Sequence, residues 1–84
     1  MPSSKKYVLH GTPEERKVKA AKMPPQARAC LTILELAGTD EVSEETLMKL
    51  VADNKDALRT KQDPWRIFQY YRAMMNGAEI FTIA

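Results

Sequence analysis

The chain has 84 residues, 44% of them apolar and 29% charged, with a formal net charge of +2. That length is one domain with a modest core, and that balance is the balance of a soluble globular protein. The single cysteine, Cys30, excludes an internal disulfide and fits a reduced compartment. No apolar run approaches the roughly 20 residues that span a bilayer, and the opening MPSSKKYVLHG has too short an apolar stretch for a secretory signal. The expected setting is the cytoplasm, with association to the nucleoid if the protein binds DNA, and no membrane.

Charge is unevenly spread. Residues 1–23 carry Lys5, Lys6, Arg16, Lys17, Lys19 and Lys22 against Glu14 and Glu15. Residues 24–62 carry five basic and seven acidic side chains. The pattern reads as a basic N-terminal arm with a short helix (1–23) ahead of a mildly acidic body (24–84). Such an arm suits an anionic partner. The alternative is a solvated tail.

Residues 1–11 begin polar and then show Tyr7, Val8 and Leu9, either a strand pairing elsewhere or a segment packed on the body. His10 and Gly11 read as a loop. Thr12-Pro13-Glu14-Glu15 is a helix start, with a capping threonine, proline at the first position and Glu15 completing a capping box. That helix is expected to reach Lys22 with a thin apolar side of Val18, Ala21 and Met23. Pro24-Pro25 ends it. From Pro25 to Ala37, Ala27, Cys30, Leu31, Ile33, Leu34, Leu36 and Ala37 leave Arg28, Thr32 and Glu35 as a narrow polar arc, so this helix belongs at the centre of the core. Cys30 lies on its apolar side and reads as an inert buried thiol.

Gly38 stops the central helix, and Thr39–Val42 has room for one or two strand-like residues. Ser43 caps the next helix, with Glu44 and Glu45 in its first turn and Val42 and Leu47 placed as a hydrophobic staple. Leu47, Met48, Leu50 and Val51 form its buried face, and it ends near Asp53-Asn54. Residues 54–62 connect onward, anchored by Leu58. Asp63 then caps the best-specified helix of the chain. Pro64 takes its first position and Gly77 stands as a left-handed stop. Ile67, Phe68, Tyr71, Met74 and Met75 make one apolar stripe. Arg66, Gln69, Arg72, Ala73 and Asn76 make the opposite arc, with Trp65 near its edge and Tyr70 beside it. The tail AEIFTIA reads as a terminal strand.

The order helix, short extended piece, helix, turn, helix, strand over residues 25–84 resembles a winged helix-turn-helix domain, a mainly α fold with a short C-terminal β-strand. Ile67, Tyr71, Met74 and Ile80 stand where the core positions of that family fall. The resemblance implies that Ser43–Asp53 is the supporting helix and Asp63–Asn76 the recognition helix. Two departures stand beside it. The connection of nine residues exceeds the three or four of a simple helix-turn-helix; an extra turn around Asp56–Arg59 would absorb them. The chain also stops after the first wing strand, unless Tyr7–Leu9 supplies a partner.

On this reading the chain is a small DNA-binding protein of the transcription-regulator class. Arg59, Thr60, Lys61, Gln62 and the basic arm contact phosphates of duplex DNA. Arg66 presents a fork to guanine and Gln69 pairs with adenine. Ala73 permits close approach, and Tyr70 flanks the contact. A homodimer is expected on grounds of contact area. The competing reading is a small adaptor or inhibitor, of phage type, that docks on a larger host or transcription protein through Trp65, Tyr70, Met23 and the helix from Pro13 to Lys22. Enzymatic readings find little: one histidine, one cysteine, no Gly-rich phosphate loop and no metal-ligand spacing. No cofactor is expected.

Overall fold

The structure is a computed structural model that describes residues 5–84. The polar opening of the expected arm, residues 1–4, lies outside the described residues. In chain order the elements are β1 (Lys6–Leu9), α1 (Pro13–Ala20), α2 (Pro25–Glu35), β2 (Glu41–Ser43), α3 (Glu44–Asp53), a 3-10 turn (Lys55–Leu58), α4 (Pro64–Gly77) and β3 (Phe81–Ile83). The chain is mainly helical, with the three strands in one small antiparallel sheet ordered β2-β1-β3.

β1 decides the layout. Its alternation sends Tyr7 and Leu9 into the core while Lys6 faces water, as a two-residue period requires. It pairs with β2 from Lys6↔Ser43 to Val8↔Glu41 and with β3 from Tyr7↔Ile83 to Leu9↔Phe81. Reciprocal bonds between Lys6 and Ala84 (3.1 and 2.8 Å) close the far end. Residues 6–9 therefore form the middle of the sheet and do not precede it as an arm. A short apolar run cannot reveal this by itself, because pairing partners more than 30 residues away determine it.

The caps behave as their residue types dictate. Thr12 and Glu15 form the reciprocal capping box of α1, Ser43 accepts from Thr46 N–H, and Asp63 accepts from Trp65 N–H. α1 ends at Ala20, two residues short of Lys22. Its buried side is Arg16 and Ala20; of the apolar residues expected there, Val18 is 75% exposed and Ala21 faces water, while Met23, just past the helix, packs half-buried against the core. α2 is the core helix, burying Ala27, Cys30, Leu31, Ile33 and Leu34, but it stops at Glu35. A tightened last turn carries Leu36 into solvent and ends at Gly38, which takes φ +72°.

α3 buries Leu47 and Val51, while Met48, expected on that face, is exposed. The nine-residue connection holds the 3-10 turn, with Leu58 fully buried and its carbonyl accepting from Gln26 (2.9 Å). α4 runs through Gly77 without stopping. The left-handed residue is Glu79, with φ +60°. Postponing the turn by two residues brings both Ile80 and Phe81 inside, and burial of those two side chains outweighs the preference of glycine for the stop. Aromatic rings join the layers: Tyr7 meets Phe68 and Phe81 edge-on at 5.8 and 5.3 Å, and Trp65 stacks on Phe68 at 5.1 Å.

Candidate nucleic-acid interface

Phe68 and Met75 hold the inner side of α4 in the core, and Trp65, Ile67 and Tyr71 pack around them half-buried. That leaves Arg66, Gln69, Tyr70, Ala73 and Asn76 exposed. Arg66, Gln69, Ala73 and Asn76 follow one another at alternating steps of three and four, so they form a single row along the helix. Tyr70 borders the row at 74% exposure and meets Tyr71 edge-on at 4.9 Å. The hydroxyl of Tyr71 donates to Gln26 at 3.4 Å. Met74, expected in the apolar stripe, is exposed one turn beyond Tyr70.

The row begins beside the loop that enters α4. Arg59 takes the left-handed conformation (φ +49°), which turns the chain sharply after the 3-10 turn. Thr60 folds back to accept from Gln62 N–H (3.0 Å), and Lys61 and Gln62 are exposed. The structure thus places Arg59, Thr60, Lys61 and Gln62 at the N-terminal end of the helix that carries Arg66 and Gln69. Free N–H groups there add partial positive charge, although the Asp63 cap offsets part of it.

Arg72 does not belong to the exposed arc. It is half-buried against α3, where its Nη1 donates to the Tyr7 hydroxyl (2.9 Å) and lies 3.6 Å from the Glu44 carboxylate. Its spacing from Gln69 and Asn76 suggests exposure, but a guanidinium finds partners in the one place where a strand hydroxyl and a helix-start carboxylate converge. The contact of Tyr7 and Glu44 with Arg72 was hidden in the sequence for the same reason. Tyr7 reads as a strand residue and Glu44 as an ordinary first-turn acid.

The basic residues of the N-terminal segment are dispersed. Lys6 pairs with Glu41 at 3.0 Å on open surface, a contact of little energetic consequence. Lys5, Lys17 and Lys22 are exposed, and Lys19 donates to the Glu79 carbonyl (3.1 Å), beside the C-terminal end of α4. Arg16 is withdrawn from any partner. It is 3% exposed and its guanidinium is spent on the His10 and Gly11 carbonyls and on Glu35. An arginine on a short helix facing α2 has no other way to bury its stem than to bring its charge to internal acceptors.

No protein-family model, curated protein sequence or solved structure matches the chain. The reading of the site therefore rests on its own residues. Among the described residues no group of His, Cys, Asp and Glu is gathered to hold a metal ion, and no helix is long and apolar enough to cross a membrane. His10 is exposed and its ring is hydrogen-bonded to Thr82.

Cys30 is fully buried, and burial pushes its thiol from 9.0 up to about 12. Burial also raises the Tyr7 phenol, with Arg72 pulling the other way and Glu44 adding to the rise. Both groups stay protonated in the fold at a pH where the unfolded chain already ionises. The unfolded state then binds fewer protons, so stability is intact below about pH 9 and falls as pH rises toward 12. The urea midpoint should drop steadily over that alkaline interval. At pH 8 a thiol reagent should label Cys30 only as fast as the protein unfolds; rapid labelling of the native protein would show that the thiol is accessible.

Proposed function

We propose that the chain is a small DNA-binding protein of winged helix-turn-helix type, acting in transcription regulation, with α4 as the helix that reads duplex DNA. The observation that carries this reading is the row Arg66, Gln69, Ala73 and Asn76, exposed on a helix whose other side is fixed by Phe68 and Met75. A base-reading helix needs both properties. Its polar tips must be free to meet base edges, and its axis must be held so that they arrive in register. Arg66 offers a two-pronged donor suited to guanine, Gln69 a donor–acceptor pair suited to adenine, and Ala73 lets the backbone come close. Arg59, Thr60, Lys61 and Gln62 supply phosphate contacts at one end, and Lys19, bonded to the Glu79 carbonyl, offers one more near the other. The sequence of α2, β2, α3, α4 and β3 supports the winged type, and β1 takes the position beside β3 that a second wing strand would fill.

The test is titration of a labelled duplex at several salt concentrations. Each neutralised phosphate contributes about 0.9 to the log–log slope. Absence of binding at low salt rejects the proposal. With a duplex selected from a random library, Arg66→Ala should weaken binding by about 1–3 kcal/mol and relax the preference at one base pair. Lys61→Ala should weaken all sequences alike and reduce the salt slope by about 1. Equal losses across sequences for both variants would show that α4 does not read bases.

A second reading is favoured by one observation. Tyr70 and Met74, one turn apart, are both exposed on the flank of α4, and aromatic residues and methionine are enriched at protein interfaces. The protein would then be an adaptor or inhibitor of a larger protein. A stoichiometric complex that survives nuclease treatment and is lost in Met74→Lys would favour it.

A further inference from the structure

Three side chains from three elements meet beneath the α3–α4 pair. The Tyr7 hydroxyl of β1 donates to the Glu44 carboxylate of α3 at 2.9 Å and accepts from Arg72 Nη1 of α4 at 2.9 Å. The guanidinium and the carboxylate are themselves 3.6 Å apart. We infer that Tyr7, Glu44 and Arg72 are positioning residues that fix the rotation of α4, so that discrimination between DNA sequences depends on one buried hydroxyl. This rests on the DNA-binding reading of α4.

The hub is immobile. Tyr7 is fully buried in the central strand, and its ring is held edge-on by Phe68 and Phe81. Glu44 is equally fixed, because it opens α3 and its N–H is bonded to the Lys5 carbonyl (3.0 Å). Arg72 is the variable member. It lies three residues after Gln69 and one turn before Asn76, so any rotation that moves it off the hydroxyl turns the whole exposed row by the same angle. On a helix of about 5–6 Å radius, a 20° rotation displaces a side chain by about 2 Å. A base contact tolerates roughly 0.5 Å and 10–20°. Core packing by Phe68 and Met75 resists tilting of the helix, but apolar contacts are non-directional. The Arg72 hydrogen bond to Tyr7, with the Glu44 ion pair beside it, defines the angle. The phosphate-contacting loop 59–62 stands before α4 and does not depend on that rotation.

Tyr7→Phe removes the hydroxyl and keeps the ring packing. For the DNA arm the probes are a duplex selected from a random library by the native protein and an unselected random duplex. Affinity for the selected duplex should fall about tenfold, comparable to losing one good base contact, while the random duplex changes less than about twofold. Glu44→Gln can still accept from the hydroxyl and should keep most of the discrimination, whereas Glu44→Ala should lose it. Hydrogen exchange on the free protein is the second arm, with α4 amides expected to exchange faster relative to α2 in Tyr7→Phe and Glu44→Ala. Unchanged discrimination in both variants, or equal weakening on both duplexes, overturns the inference and leaves the hydroxyl a purely structural group. If the native protein binds no duplex at all, the DNA reading itself fails. The exchange arm then still shows whether the hydroxyl fixes α4, so the two failures are separable. Should Tyr7→Phe not fold, the Glu44→Gln and Glu44→Ala pair carries the same comparison.

Discussion

Phe68→Ala should destabilise the protein by about 3–5 kcal/mol, the range for truncating a fully buried aromatic side chain. Phe68 is the contact point of strand and helix layers. Trp65 stacks on it at 5.1 Å, Tyr7 meets it edge-on at 5.8 Å, and Phe81 lies parallel at 6.4 Å. Truncation leaves a cavity between the Trp65 and Tyr7 rings, whose backbones are held in place, the Trp65 N–H by the Asp63 carboxylate and Tyr7 by the sheet. A domain of 84 residues holds roughly 4–12 kcal/mol in total, so the variant should lose about a quarter or more of its stability and unfold at a clearly lower urea concentration. Fluorescence of Trp65, the only tryptophan, reports the transition in urea directly. Tyr70→Ala, two residues along on the exposed side, should remain within about 0.5 kcal/mol of the native protein. A loss below about 1 kcal/mol for Phe68→Ala would mean that the rings can close over the gap and that the core is not organised around this position.

The inward side of Phe68 is legible in the helical projection of residues 63–77, whereas Tyr70, flanking the polar arc, reads there as either core or contact. The caps, the central α2 helix and the exposure of Arg66, Gln69 and Ala73 all follow from local rules of spacing and terminal chemistry, and those rules act within a few residues. What they miss depends on distant partners. Tyr7–Leu9 can be seen as strand-prone, but only pairing with β2 and β3 makes it the centre of the sheet. Gly77 is the better left-handed residue, yet the turn falls at Glu79 because Ile80 and Phe81 must enter the core. Met48 and Met74 satisfy helical periodicity and are nevertheless exposed, since four helices and a small sheet leave no further layer to cover them. Arg72 and Arg16 were the hardest to place. A long charged side chain at a mixed position goes where acceptors are, and those acceptors lie in other elements.

The same dependence gives the site its rigidity. An exposed row on α4 is useful for base reading only if the helix is held from several sides, and it is held from three: Asp63 caps the start, Phe68 and Met75 anchor the middle, and the Tyr7–Arg72 bond fixes the rotation. On the proposed DNA-binding reading, substitutions beneath α4 are expected to alter which sequence is preferred, and substitutions in the loop 59–62 to alter affinity for all sequences alike.

Arg16→Ala should cost about 2–4 kcal/mol, below the full penalty for breaking a buried ion pair because Glu35 is 26% exposed and retains some water. The loss does not arise mainly from the charge pair. Nη1 donates to two backbone carbonyls, His10 at 3.0 Å and Gly11 at 2.7 Å, and Nη2 reaches Glu35 at 3.3 Å. One guanidinium therefore satisfies the chain reversal between β1 and α1 and ties it to α2. Replacing a simple buried pair with apolar residues is often neutral. Here Arg16→Met combined with Glu35→Leu also takes away the donor of the His10 and Gly11 carbonyls, so two further hydrogen bonds are lost with the pair. Arg16→Lys keeps the charge but lacks the planar fork, and should recover less than half of the loss. A double-mutant cycle with Glu35→Gln separates the contributions. The coupling between Arg16 and Glu35 should account for the smaller part of the Arg16→Ala loss. If it accounts for nearly all of it, the carbonyl contacts contribute little and the reversal at Gly11 holds itself. Hydrogen exchange adds a positional check: the Leu9 and His10 amides, bonded to Asp40 and Ile80, should lose protection first in Arg16→Ala, because β1 is released at the end where the guanidinium held it.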